Sequence, residues 1–106
     1  MTERKFAAFV DDLMDRSRLQ GLPGAVTFVR RLDAVPPDTD VVIVDLARHG
    51  AVVAELRARL PNARIAAFGS HVDTDALDAA RAAGADVVVP RSVFFRDPIA
   101  ALGGAM

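Results

Sequence analysis

The sequence contains no cysteine. It therefore has no disulfide framework and no thiolate ligands for a structural zinc ion. No apolar run reaches the roughly 18 residues that a transmembrane helix needs, and the charged N-terminus is not followed by the apolar stretch of a signal peptide. These absences lead us to expect a cytoplasmic protein with no membrane contact.

The chain also lacks an excess of charge of either sign. Its 13 basic and 14 acidic side chains give a formal net charge of -1, and the basic residues are spread among the acids. No basic stripe is therefore available to neutralise the phosphates of a nucleic acid, and we expect no nucleic-acid partner. With 52% apolar residues in 106, the composition predicts one globular domain over residues 1–106.

Five short apolar runs rich in β-branched or aromatic residues recur along the chain. Each is too short for a helix, so each is predicted to be a strand, mostly buried on both faces. The predicted strands are Phe6–Val10, Val26–Val29, Val41–Val44, Ile65–Phe68 and Val87–Val89.

Segments with helical spacing separate the later strands. One runs from Val52 to Leu60 at steps of three and four, and Pro61 ends it. The next is predicted over Asp73–Ala83, with Gly84 placed for a left-handed C-terminal cap. Strands that alternate with helices predict right-handed crossovers and a parallel sheet covered on both faces.

The earlier connections are short. Only Leu13–Gln20 can be helical after the first strand, and Arg31–Val35 is at most one turn. A missing second helix would leave part of the sheet uncovered, and exposed apolar area of several hundred Å² normally finds a partner. On this ground we expect a homodimer.

Acidic residues follow two of the predicted strands. Asp11 and Asp12 end the first strand and Asp45 ends the third. If these strands are neighbours, three carboxylates meet in one crevice, where they repel one another. A Mg²⁺ ion would relieve that repulsion. The alternative is that these residues only cap the helices that follow.

The order of these features resembles the receiver domains of response regulators over nearly the whole chain. The features are VDD after the first strand, VIVDL around the third, the helix over 73–83, and AGADVVVPRS. The resemblance implies a three-layer flavodoxin-like α/β fold with strand order 2-1-3-4-5. It also implies that Asp11 and Asp12 hold Mg²⁺ beside Asp45, and that Asp45 accepts a phosphoryl group from a sensor histidine kinase.

Three positions depart from that family. The hydroxyl residue at the end of the fourth strand falls on Gly69, with Ser70 one residue later, and the lysine falls on Arg91. Ser70 could replace the hydroxyl only if the strand has already ended, because adjacent strand residues face opposite ways. The aromatic switch residue falls on Val88.

Three hypotheses for function remain open at this point. The first is a stand-alone phosphoaccepting receiver of bacterial two-component signalling. The second is a pseudo-receiver that binds signalling proteins without phosphorylation. The third is a small Mg²⁺-dependent phosphatase or phosphotransferase that uses Asp45 as nucleophile on a small molecule. The third requires a cap or long loops that this chain has no residues to form, so we expect no enzyme.

Two further groups of residues allow more than one interpretation. His49 and His71, with Asp73 and Asp75, could bind a transition metal, although loop histidines beside aspartates are more often solvated. Of the neighbours Phe94 and Phe95, one is expected to enter the core and the other to lean outward. These rings either serve core packing alone or form part of a dimer or partner surface.

Overall fold

The computed structural model describes residues 4–102. These residues form five strands and six α-helices, with a 3-10 helix at Leu32–Ala34. The strands are β1 Arg4–Phe9, β2 Gly24–Phe28, β3 Val41–Asp45, β4 Arg64–Gly69 and β5 Val87–Pro90. The helices are α1 Leu13–Leu19, α2 Leu46–His49, α3 Val52–Arg59, α4 Thr74–Ala82, α5 Arg91–Arg96 and α6 Pro98–Ala101.

The strands form one parallel sheet in the order β2-β1-β3-β4-β5, which confirms the predicted topology. The register places Phe6 opposite Val26 on β2 and Val41 on β3. Asp45, the last residue of β3, lies opposite Phe68 on β4. The carboxyl ends of β1, β3, β4 and β5 therefore share one edge of the sheet, where ligands of such folds bind.

Two apolar cores cover the two faces of the sheet, because alternate residues of each strand point to opposite sides. On one face the strands pack against α3, α4 and the 3-10 helix, with residues such as Phe9, Val44, Leu56 and Leu77. On the other face, residues including Phe6, Ile43, Phe68, Leu19 and Phe94 join the sheet to α1, α5 and α6. The arrangement is the expected three-layer sandwich.

The edge strand β2 is the exception to the prediction that the strands are buried on both faces. Ala25 and Thr27 are exposed. The connection after β2 forms only a 3-10 helix, as the short segment Arg31–Val35 predicted, and no longer helix of residues 4–102 covers this part of the sheet. These side chains are small or polar, so this part of the sheet exposes no large apolar group. The most exposed large apolar side chains lie elsewhere, at Leu13 (77%), Val72 (74%) and Met14 (70%).

The predicted helix boundaries agree with the structure. In α4, the Asp73 side chain caps the N-terminus by accepting a hydrogen bond from the Ala76 N–H at 3.1 Å. Gly84 follows the helix with a φ of +109°, a left-handed conformation that favours glycine.

The sequence analysis missed α2, α5 and α6, which are each at most six residues long. No helix of residues 4–102 has the length and apolarity to span a bilayer.

Candidate functional site

A cleft of about 420 Å³ opens at the carboxyl edge of the sheet, between the ends of β1 and β3. Four acidic and three basic side chains line it. They are Asp11, Asp12, Asp15, Asp45, Arg30, Arg48 and Arg91. The three aspartates that the sequence predicted are therefore brought to one cleft, and Arg91 lies there with them.

Asp45 is the most buried of the three predicted acids, with 9% of its surface exposed. Its Oδ1 accepts a hydrogen bond from the Ala47 N–H at 3.0 Å and so caps α2. Burial raises the pKa of Asp45, and the Asp15 charge adds to this, against opposing contributions from the Ala47 N–H, Arg91 and His49. Asp45 is thus a desolvated carboxylate at the end of a central strand.

Asp12 and Asp11 lie in different surroundings, although they are adjacent. Asp12 is exposed and caps α1 by accepting a hydrogen bond from the Asp15 N–H at 3.0 Å. Asp11 Oδ1 lies 3.2 Å from His49 Nε2 and 3.7 Å from Arg30 Nε. Partial burial works to raise the pKa of Asp11, but the hydrogen bond and charge of His49, with the neighbouring arginines, hold it below its usual value.

Asp12 and Asp45 both cap helices, as the alternative interpretation proposed. Each uses its Oδ1 for the cap, which leaves the second carboxylate oxygen for a cation. Within residues 4–102, no three acidic or histidine side chains come close enough to share one metal ion. Mg²⁺ binds proteins through one or two carboxylates and keeps several waters. The donors around this cleft fit a largely hydrated Mg²⁺ ion, not a cation enclosed by protein ligands.

The sequence analysis missed a fourth acid of this cleft. Asp15, on α1, is only 1% exposed, and its Oδ1 accepts a hydrogen bond from an Nη of Arg91. Its Oδ2 is buried with no hydrogen-bond partner in residues 4–102. The only available signal was that Asp15 precedes the apolar Leu19 by four residues, which places both on one face of α1.

Arg91 is the first residue of α5, and it lies at the junction of two cavities. The guanidinium carbon is 5.0 Å from the ring centre of Phe95 and 5.7 Å from that of Phe68. The hydrogen bond to Asp15 raises the pKa of Arg91, and the charges of Asp45 and Asp12 act in the same direction. Arg91 is therefore a fixed positive charge between α1 and Asp45.

The second cavity, of about 310 Å³, contains Asp45, Gly69, Ser70 and Arg91 together. Strand β4 ends at Gly69, so Ser70 meets the condition under which it could take the place of the missing hydroxyl. A Cβ at position 69 would be in van der Waals contact with two leucines, 3.4 Å from Leu46 Cβ and 3.6 Å from Leu77 Cδ2. Ser70 is exposed, and its Oγ accepts a long hydrogen bond of 3.4 Å from the Val72 N–H.

The remaining candidate residues have structural surroundings. Val88 packs in the core with 9% of its surface exposed. His49 contacts Asp11 and the Phe9 ring, while His71 is exposed. Phe94 is fully buried and Phe95 is half-buried against Phe68, as the sequence predicted for these neighbours.

Comparisons with known proteins agree on the fold. No protein-family model and no curated protein sequence matches the chain. Among solved structures, the chain is similar to a signal receiver domain from Pseudomonas fluorescens, with a TM-score of 0.78 at 16% identity over 98% of this chain and 94% of that one. It is also similar to a receiver domain from Clostridium thermocellum, with a TM-score of 0.77 at 18% identity over 96% and 93% of the two chains.

A response regulator from Burkholderia pseudomallei is also similar, with a TM-score of 0.77 at 21% identity. The match covers 93% of this chain, which spans 66% of that protein. The Burkholderia structure contains a phosphorylated aspartic acid and a calcium ion. This chain therefore has the fold of response-regulator receiver domains.

Proposed function

We propose that this protein is a receiver domain that accepts a phosphoryl group on Asp45. The observation that carries the proposal is the position of Asp45: a desolvated carboxylate at the end of β3, in cavities shared with Asp11, Asp12 and Arg91. A carboxylate nucleophile requires positive charge or N–H donors to offset the negative charge of an incoming phosphoryl group. Arg91 supplies both.

The donor we propose is a phosphorylated imidazole of a sensor histidine kinase. An Asp45 carboxylate oxygen forms a bond to phosphorus, the P–N bond breaks, and its electron pair remains on the imidazole nitrogen. Ser70, Ser92, His71 and the Arg91 N–H groups that do not bind Asp15 are side-chain hydrogen-bond donors that line the 310 Å³ cavity.

Mg²⁺ is the cofactor that this chemistry favours. The carboxylates of Asp11 or Asp12, together with Asp45, would hold it, and its charge would offset that of the phosphoryl oxygens. The calcium ion and the phosphorylated aspartic acid of the Burkholderia regulator support a divalent cation in this kind of site.

A specific observation also favours the second candidate, a pseudo-receiver that binds signalling proteins without phosphorylation. Arg91 is already paired with Asp15, and position 69 carries no hydroxyl and faces Leu46 and Leu77. In a pseudo-receiver the acidic cleft would be retained from an ancestral phosphorylation site while the contacts to phosphate are lost.

Binding of beryllofluoride, a mimic of the phosphoryl group, separates the two candidates. Amide NMR spectra recorded at millimolar Mg²⁺ with and without beryllofluoride should show shifts around Asp45, Ser70 and Arg91 if Asp45 is an acceptor. Asp45→Asn should abolish these shifts. The matched control is Asp73→Asn, which alters another capping aspartate outside the cleft and should leave the response intact.

Either result is informative. Shifts in the native protein that are lost only in Asp45→Asn support a working acceptor. A native protein that folds but shows no shifts at saturating beryllofluoride contradicts the acceptor proposal and leaves the pseudo-receiver.

A further inference from the structure

We propose that Asp15 is a positioning residue: it holds the Arg91 guanidinium at the Asp45 cleft, with one N–H bound to α1 and the others left for an anion on Asp45. The part that concerns the anion rests on the proposed phosphoacceptor function. The part that concerns the position of Arg91 rests on the contacts of Asp15 alone.

Burial makes Asp15 the anchored member of this pair. Its side chain is 1% exposed, while that of Arg91 is 46% exposed. If Arg91 moved into solvent, Asp15 would remain as a buried carboxylate without a counter-charge, which is strongly unfavourable. The unpartnered Oδ2 makes this dependence stronger, since Arg91 is the only ion-pair partner of Asp15 in residues 4–102. Arg91 should therefore stay bound to Asp15 when a ligand arrives.

The shape of arginine allows it to serve two acceptors. A guanidinium has five N–H donors on a rigid plane, whereas a lysine ammonium is a compact point charge. Only one Arg91 nitrogen bonds Asp15, and the rings of Phe68 and Phe95 lie beside the guanidinium. The presence of arginine at position 91 and of an acid at position 15 is thus explained by one arrangement.

The experiment compares the native protein with Asp15→Asn, which keeps the size of the side chain, and Asp15→Leu, which fills the buried site with apolar atoms. Asp78→Asn is the matched control, because Asp78 forms an exposed ion pair with Arg81 at 2.9 Å on α4. Thermal melting establishes that each variant is folded before any comparison is made.

Two measurements are taken on each folded variant. The first is the side-chain ¹H–¹⁵N spectrum of Arg91 without any anion. It should show restricted guanidinium rotation in the native protein and in Asp78→Asn, and averaged signals in both Asp15 variants. The second is the affinity for beryllofluoride at fixed Mg²⁺, which should fall about tenfold or more in both Asp15 variants, the range for a lost hydrogen bond to a charged group. Adding Arg91→Ala should produce little further loss in an Asp15 variant, since the two residues act as a unit.

Failure of this inference can be distinguished from failure of the proposed function. Native affinity that is unchanged or increased in both Asp15 variants overturns the positioning role while the acceptor site stands. If the native protein does not bind beryllofluoride, the proposed function fails. The Arg91 spectrum then decides the positioning role alone: restricted signals that persist without Asp15 refute it.

Discussion

His49 Nε2 lies 3.2 Å from Asp11 Oδ1, so the end of the helix that follows β3 is tied to the first of the two acids that follow β1. The His49 ring also packs against Phe9, with the ring centres 5.5 Å apart. The contact joins residues 38 positions apart in the sequence. It holds Asp11 at one side of the cleft, and it gives the first of four tests.

His49→Phe should keep the packing against Phe9 and remove the hydrogen bond to Asp11. We expect the pKa of Asp11 to rise toward its ordinary value, because the bond and charge of His49 are the main causes that hold it down. A lowered carboxyl pKa stabilises the fold above the ordinary pKa of about 4, and that stabilisation is lost as pH falls through the lowered value.

The loss in His49→Phe should be roughly 0.5–1 kcal/mol at pH 7 and should vanish in strong acid. Carboxyl ¹³C titration measures the pKa, and urea unfolding at neutral pH and in strong acid measures the change in stability. His71→Phe, at an exposed histidine, is the control. An Asp11 pKa that is the same in His49→Phe as in the native protein would contradict the assignment.

Asp45→Asn should stabilise the protein at neutral pH. Burial raises the pKa of Asp45, so the ionised carboxylate destabilises the folded state. The contribution of Asp45 to the free energy of unfolding is therefore most favourable below the ordinary carboxyl pKa, and it is lost as pH rises through the raised pKa. Asparagine keeps the cap on α2 without the charge. We expect a gain of about 0.5–1 kcal/mol at pH 7 that disappears below about pH 4.

Urea unfolding of Asp45→Asn across that pH range provides the measurement. Asp73 caps a helix in solvent, so Asp73→Asn should change the free energy of unfolding by less. A loss of stability in Asp45→Asn at pH 7 would show that the ionised carboxylate is not destabilising.

Ser70 and Gly69 should respond differently to substitution. Ser70→Ala is expected to weaken beryllofluoride binding about tenfold through loss of a hydrogen bond to a charged group, with little change in stability because Ser70 is exposed. Gly69→Thr is expected to cost about 1–3 kcal/mol by overpacking, because a Cβ at this buried position already contacts Leu46 and Leu77 and the γ atoms of threonine need further room. Chemical unfolding and NMR titration measure both. Tighter beryllofluoride binding by a stable Gly69→Thr would show that position 69 does face the cleft.

Arg57 should be the more sensitive to substitution of the two arginines of α3. It donates to the carbonyls of Gly84, Pro61 and Ala63, each at 3.0 Å, and to the carboxylate of Asp86 at 2.5 Å. Arg57→Lys cannot reproduce this fork and should lower the free energy of unfolding by about 1–3 kcal/mol. Arg59→Ala, two residues further along the same helix and exposed, is the control. Equal effects of the two substitutions in urea unfolding would contradict the role of Arg57.

Local sequence patterns predicted most of the fold because they record local physics. The apolar runs, the helical spacing and the Gly84 cap each depend on residues a few positions apart, and the strands, helices and cap that they predicted are present in the structure. The strand order was predicted through a resemblance, since no local pattern specifies which strands pair. The short helices α2, α5 and α6 were missed because too few residues define a period.

The amino-acid sequence already shows that acids follow β1 and end β3, that Arg91 follows β5, and that no hydroxyl occupies position 69. What these residues contact depends on the tertiary structure. His49 contacts Asp11, Arg91 donates a hydrogen bond to Asp15, and Ser70 lies beyond the end of β4. These pairs are up to 76 residues apart. Whether two such charges meet depends on the packing of α1 and α5 on one face of the sheet. The same packing sets their burial, and burial determines how strongly they interact.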